Sequence, residues 1–260
     1  MNLNLKEKVI IVSGGARGIG EGITRQLALE GAFPVIVGNN AEHNELALEK
    51  IVAAGGFGFT VEADLTKPED CKKAIDATLE KFGVIHGLVN NAGFNDGVSL
   101  ENGTYEEFVN SYHLNTVHYF LMAHYALPAL KLTKGPILNI ASKVAETGQG
   151  DTSGYAAANG ARNALTREWA VELLKYKIRV NSVIVAECFT PMYDAWLNKF
   201  PNREEVFEDI NRRIPLEKRM TTPEEIANMA VFLLSNRASH ITGQLIHVDG
   251  GYVHLDRALL

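Results

Sequence analysis

The segment Ser13-Gly14-Gly15-Ala16-Arg17-Gly18-Ile19-Gly20 ends an apolar run and opens a helical pattern. Glycines there let the backbone turn tightly and approach a diphosphate, and the free amides and dipole of a helix start favour its negative charge. Further along, Ser142 closes the run Asn139-Ile140-Ala141-Ser142, and Tyr155 follows 13 residues later at the start of a long helical stretch. A hydroxyl donates and accepts at one oxygen and a phenol is amphoteric, so the two suit proton exchange with an alcohol or carbonyl oxygen. Asp64-Leu65 and Asn90-Asn91-Ala92-Gly93 also follow apolar runs. Three loops on one carboxyl edge describe a nucleotide crevice.

The type of dinucleotide turns on the end of the second strand, where an acid would bind the adenosine ribose and repel a 2′-phosphate. That region reads Val35-Ile36-Val37-Gly38-Asn39-Asn40, without an acid, while Arg17 stands in the glycine loop ready to pair with a phosphate. NADP is therefore expected, with NAD as the alternative.

The elements that must carry these residues follow from hydrophobic period. Strand-length apolar runs fall at 8–13, 33–38, 57–62, 85–90, 136–140, 178–184 and 244–248. Helical stretches lie between them at 18–31, 41–54, 68–82, 104–132, 153–176 and 223–235. Such alternation is the mark of repeated βαβ units. The expected architecture is α/β, a Rossmann-type doubly wound, mostly parallel sheet of seven strands with helices on both faces. Pro68 and Pro223 each sit at a first helical turn beside acids that complement the dipole. With no linker or repeat, 1–260 reads as one domain. Residues 190–217 break the alternation after the sixth strand, where an insertion would cover the ligand edge as a substrate lid.

Composition narrows the function classes. A net charge of -6 gives no basic stripe for nucleic acid or an anionic membrane surface. The two cysteines, Cys71 and Cys188, are far apart and suggest neither a disulfide framework nor a zinc knuckle. The charged start and the lack of a long apolar stretch lead to the expectation of a cytoplasmic protein. Histidines at 240, 247 and 254, and at 113, 118 and 124, show no ligand spacing, so no metal is expected.

The glycine loop, NNAG, Asn115, Ser142 and Tyr155 together resemble the short-chain dehydrogenase/reductase family over essentially the whole chain. The resemblance implies that Tyr155 exchanges the substrate hydroxyl proton, Ser142 holds the same oxygen, and Asn115 anchors a water relay. Thr190 would hold the nicotinamide carboxamide. Gly14, Arg17, Gly18, Ile19, Gly20, Asn39, Asp64, Leu65, Asn91, Ala92 and Gly93 would line the cofactor. One position departs from the family pattern. Members carry lysine four residues after the tyrosine, and this chain has Asn159. Asparagine can keep a ribose contact but supplies no charge. A unit charge at ~4 Å is worth roughly 4 kcal/mol at an effective dielectric near 20. Turnover near neutral pH is therefore expected to be impaired, with Lys143 as the nearby basic candidate.

The loops expected to face substrate are polar: Asn95, Lys143, Gln149 and Glu187 are the candidate contacts. A hydroxyl-rich substrate needs such groups, whereas an acyl chain needs an apolar slot. The strings SKVAETGQGDTSGY, LTREWAVEL and VDGGYVHLDRAL are similar to the bacterial L-fucose dehydrogenase branch of the family. That implies oxidation of an aldose to its lactone. The alternatives are a 3-oxoacyl or other carbonyl reductase, and a silenced dinucleotide-binding protein whose support is Asn159. The resemblance and the apolar faces of 104–132 and 153–176 imply a homotetramer, with the tail at 248–260 at a second interface.

Overall fold

The structure is a computed structural model that describes residues 2–256. Its strands are β1 (Val9–Ser13), β2 (Phe33–Gly38), β3 (Phe59–Glu62), β4 (Gly87–Asn90), β5 (Ile137–Ser142), β6 (Val180–Val185) and β7 (Leu245–Val248). They form one seven-stranded sheet in the order β3-β2-β1-β4-β5-β6-β7. Every pairing is parallel.

The apolar runs are continuous because both faces of the sheet are covered. Val9 and Ile11 of β1 enter one core and Ile10 and Val12 the other. The first core packs against α3 (Pro68–Phe82), α5 (His118–Thr133) and α7 (Ser153–Glu172), with Tyr119, Met122 and Trp169 buried there. The second packs against α1 (Gly18–Leu29) and α10 (Pro223–Leu234) through Ile23, Leu27 and Ile226. Helix α2 (Ala41–Ala53) closes a small third cluster around Ile36 and Ile51. This is the expected doubly wound architecture.

Differences are confined to how helices are interrupted. The stretch expected as one helix over 104–132 comprises α4 (Tyr105–Tyr112), a π turn over His113–Val117, and then α5. The π turn carries Asn115, which is fully buried. Helix α7 ends at Glu172 and passes into a 3₁₀ turn, Leu174–Tyr176. A short helix, α6 (Val144–Thr147), follows Ser142, and 190–217 holds α8 (Pro191–Leu197) and α9 (Arg203–Arg212). No helix among the described residues is long and apolar enough to cross a membrane.

Helix starts obey side-chain chemistry as well as proline. Thr222 accepts a hydrogen bond from the Glu225 amide at 3.3 Å, and the Glu225 carboxylate accepts one from the Thr222 amide at 2.9 Å. This reciprocal cap fixes the start of α10, which packs against α1 behind the glycine loop. Thr222→Ala is expected to cost about 1 kcal/mol and to lower Tm by roughly 2–4 °C in a thermal melt.

Candidate active site

The glycine loop joins β1 to α1 with almost no room for side chains. A Cβ on Gly20 would lie 2.0 Å from the Gly14 carbonyl oxygen, and Gly14 itself has φ +62. Arg17, at the N-cap of α1, makes no side-chain cap, so the first amides of the helix are left for an anion. A strut holds this loop to the next one. The Ser13 hydroxyl accepts from the Asn91 and Ala92 amides at 2.9 and 3.1 Å, and the Asn91 side chain donates to the Ser13 and Gly14 carbonyls at 2.9 and 3.2 Å. Asn91 therefore shapes the crevice with its side chain.

Thr190 reaches the same loop from the other side. A Cβ on Gly18 would meet its Cγ2 at 3.2 Å, while its hydroxyl caps α8 by accepting from the Tyr193 amide at 3.2 Å. Ile19 packs against the second core. Arg17 and Asn39 are exposed, and the neighbouring Asn40 caps α2. The Asp64 carboxylate accepts from the Thr66 hydroxyl at 2.7 Å, which holds it below the usual carboxylate range. Leu65 is buried, and its carbonyl accepts from the Cys71 thiol at 3.4 Å. Burial pushes both thiols, Cys71 and Cys188, up to about 12, which leaves them protonated and unreactive. The closed glycine loop, open helix amides and acid-free end of β2 fit a nicotinamide dinucleotide.

The hydroxyl pair stands beyond that cradle. Ser142 ends β5 opposite Val185 of β6, and its Oγ accepts from the Val144 amide at 3.4 Å. Tyr155 lies half-buried in the first turn of α7. Two turns along the same helix face is Arg162, buried at 3% exposure. Its Nε donates to the Asn115 carbonyl at 2.6 Å and its Nη2 to the Asn115 side-chain oxygen at 3.2 Å. Its Nη1 donates to the Ile140 carbonyl and to Asn159 Oδ1, both at 3.2 Å. The guanidinium lies 4.3 Å from the Tyr119 ring centre and 6.0 Å from that of Tyr155. Both Asn115 oxygens thus serve Arg162, and the side-chain oxygen also accepts from the Phe94 amide at 2.9 Å.

The structure gives Asn159 and Lys143 definite partners. Asn159 is fully buried, with Nδ2 donating to the Tyr155 carbonyl at 2.9 Å and Oδ1 held by Arg162. Both ends of its amide are engaged inside the helix packing. Lys143, the expected basic candidate, is committed elsewhere. It is buried, pairs with the Glu187 carboxylate, and lies 3.8 Å from the Tyr252 ring centre. Arg162 is a cation whose guanidinium lies 6.0 Å from the Tyr155 ring centre. Its sequence signal is a single long side chain seven residues after Tyr155, at the end of a run of alanine, asparagine and glycine.

His118 registers the field of Arg162. Burial, and then the Arg162 charge, push its imidazole down to about 3, so it is neutral at ordinary pH. Tyr119, fully buried, is raised by burial and donates to the Ile140 carbonyl at 2.8 Å.

The substrate edge is organised by charge pairing across strand ends. Glu187 bonds Lys143 with one oxygen and accepts from the Tyr193 hydroxyl at 2.7 Å with the other. Burial, followed by Glu187, raises Tyr193. Lys143 and Glu187 therefore arrive as one neutralised unit, and Tyr193 of α8 joins them without having been visible from spacing. Asn95 is exposed, with its side-chain oxygen turned to the Gly97 amide at 3.1 Å, and Gln149 is exposed. Tyr193, Trp196 and Phe200 form an edge-to-face aromatic row, with ring centres 5.4 and 4.8 Å apart. Histidine spacing also failed to reveal one grouping. Glu146, His247 and His254 bring their ligand atoms within 4.8 Å of one another, and His247 Nε2 lies 3.0 Å from Glu146.

Comparison with known proteins places this geometry in a family. A family profile described as enoyl-(acyl carrier protein) reductase matches residues 14–253. The chain is 34% identical over 245 residues to L-fucose dehydrogenase of Oryctolagus cuniculus, covering 94% of this chain and 84% of that one. It is also 34% identical to the 3-oxoacyl-[acyl-carrier-protein] reductase FabG of Thermotoga maritima, over 96% of this chain and 100% of that one. The crystal structure of Cj0485 dehydrogenase superposes with a TM-score of 0.93 at 47% identity, covering 99% and 98% of the two chains. The chain belongs to the short-chain dehydrogenase/reductase family and is an NAD(P)-dependent oxidoreductase.

Proposed function

We propose that the chain oxidises the anomeric hydroxyl of an aldose, L-fucose or a close relative, to its lactone, with NADP preferred over NAD. The observation that carries the substrate class is the polar edge beyond Ser142: the Lys143–Glu187–Tyr193 cluster, with Asn95 and Gln149 exposed beside the crevice loops. An edge of polar side chains suits a hydroxyl-rich substrate better than an acyl chain or steroid, which needs an apolar slot. The aromatic row of Tyr193, Trp196 and Phe200 offers an apolar surface for the C–H face of a pyranose. The likeness to L-fucose dehydrogenase supports the same reading.

Oxidation removes a hydride from C1 and a proton from the C1 hydroxyl. The bound nicotinamide supplies the hydride acceptor. In this reading the chain's own groups handle the oxygen: Ser142 hydrogen-bonds it, and Tyr155 takes its proton. Residues 190–217 act as a lid within a single domain, closing over the strand ends. Copies pair through α5 and α7, where Phe120 and Val171 are 50% and 69% exposed, to give a homotetramer in the cytoplasm. The described part of the tail ends at 256, and residues 257–260 of the expected second interface lie outside the described residues.

Three measurements test this reading. With NADP and NAD against an aldose panel, L-fucose or a related sugar is expected to give the highest rate and a lactone product. Reduction of a 3-oxoacyl thioester without oxidation of any aldose would overturn the substrate class and leave the family intact. Arg17→Ala is expected to weaken NADP by roughly 1.5–3 kcal/mol more than NAD, about 10- to 150-fold, in a fluorescence titration. Equal losses contradict the preference. Light scattering at micromolar concentration is expected to give four copies, and a monomer contradicts the assembly.

A further inference from the structure

We propose that Glu146, His247 and His254 form a binding site for one divalent transition-metal ion, zinc above all, which ties the C-terminal tail to the loop between Ser142 and Tyr155. The inference does not depend on the substrate or on the roles of Ser142 and Tyr155.

Three separate elements bring the ligands together. Glu146 lies in α6, His247 in β7, and His254 in the turn that follows β7. Their ligand atoms, one from each side chain, all fall within 4.8 Å of one another. His247 Nε2 is 3.0 Å from a Glu146 carboxylate oxygen, and the His254 and His247 rings stand with centres 4.3 Å apart and planes at 89°. A hydrogen bond between Glu146 and His247 accounts for two of these groups and not for the second imidazole. Two imidazoles and a carboxylate are a donor set that zinc takes in sites where a fourth position is kept for water. The set has neither the thiolates that softer ions select nor the shell of oxygens that calcium or magnesium needs.

The backbone that carries each ligand is already fixed. His247 is paired in register with Ile184 of β6. Asp249, 7% exposed, folds the tail back by accepting from the Gly251 amide at 2.8 Å and the Val253 amide at 2.9 Å. Between those points Tyr252 lays its ring 3.8 Å from the Lys143 ammonium. Lys143 stands three residues before Glu146 and does not compete for it, because its own charge is answered by Glu187. Glu146 is held from behind as well: Asn163 of α7 donates to its other oxygen at 3.3 Å, the kind of partner that orients a ligating carboxylate. Asn163 is itself 7% exposed, and its Oδ1 is a buried acceptor with no hydrogen-bond partner among the described residues. A water carried by the ion is the kind of donor that acceptor lacks. Zinc, with bonds of about 2.1 Å, holds its ligands about 3.4 Å apart, a contraction within the reach of side-chain rotation.

The test is a calorimetric titration of zinc chloride into the untagged full chain, first freed of metal with a chelator. Neither sugar nor dinucleotide is required, so the result stands whether or not the proposed function does. One equivalent of zinc is expected to bind. Loss of a partner that orients a ligand costs about 10- to 100-fold in metal affinity, so Asn163→Ala is expected to fall in that range and His254→Ala and Glu146→Gln at or beyond its upper end. His254 is exposed and lies outside the sheet, so His254→Ala keeps the fold and decides the matter if Glu146→Gln does not fold. No binding by the parent, or equal affinity in the parent and His254→Ala, overturns the proposal. Hydrogen exchange reads the tie itself: amides over 249–256 are expected to exchange more slowly with zinc in the parent and at an unchanged rate in His254→Ala. Zinc binding that leaves exchange over 249–256 unchanged in the parent overturns the tie.

Discussion

The side chain of Arg162 ties together the parts of the active site that the chain brings from farthest apart. Through it the carbonyl of Ile140 on β5, both oxygens of Asn115 on the π turn, and the amide of Asn159 on α7 converge on one planar cation. Asn115 in turn holds the NNAG loop by accepting from the Phe94 amide, and that loop is strapped through Ser13 to the glycine loop. A continuous path therefore runs from the guanidinium to the diphosphate cradle. The π turn belongs to the same constraint. Widening the helix at His113–Val117 breaks the regular ladder locally, and the carbonyl it presents at Asn115 is the one Arg162 takes at 2.6 Å.

That arrangement changes the meaning of Asn159. Read as a substitution in isolation, it removes a charge from beside the phenol. In the folded chain its amide is an internal link, joining the Tyr155 carbonyl to Arg162 and filling the space between them on one helix face. Charge and hydrogen bonding are divided between two side chains, Asn159 and Arg162, spaced along the face that also carries Tyr155.

The fold was legible because both faces of the sheet are buried, which makes the strands continuous apolar runs, and because the glycine loop, Ser142 and Tyr155 mark strand ends and helix starts. The π turn was not, since it leaves the apolar period of 104–132 nearly unchanged. Contacts distant in sequence were also hidden: Lys143 with Glu187 is 44 residues apart, and Glu146 with His247 is 101. Both pairs form because β5, β6 and β7 lie side by side and their carboxyl ends meet at one edge. Arg162 was hidden differently. Its spacing from Tyr155 was visible, but an arginine on a helix usually reaches solvent, and only the packing of α7 against β5 and the π turn turns it inward.

The most direct measurement of the central claim is kcat for aldose oxidation in the unaltered chain and in Arg162→Gln. If Arg162 holds Asn115, Ile140 and Asn159 together as one working site, kcat is expected to fall at least about tenfold in Arg162→Gln while dinucleotide binding is kept. An unchanged kcat in Arg162→Gln would contradict the account, because the site would then stand without the guanidinium that joins its parts.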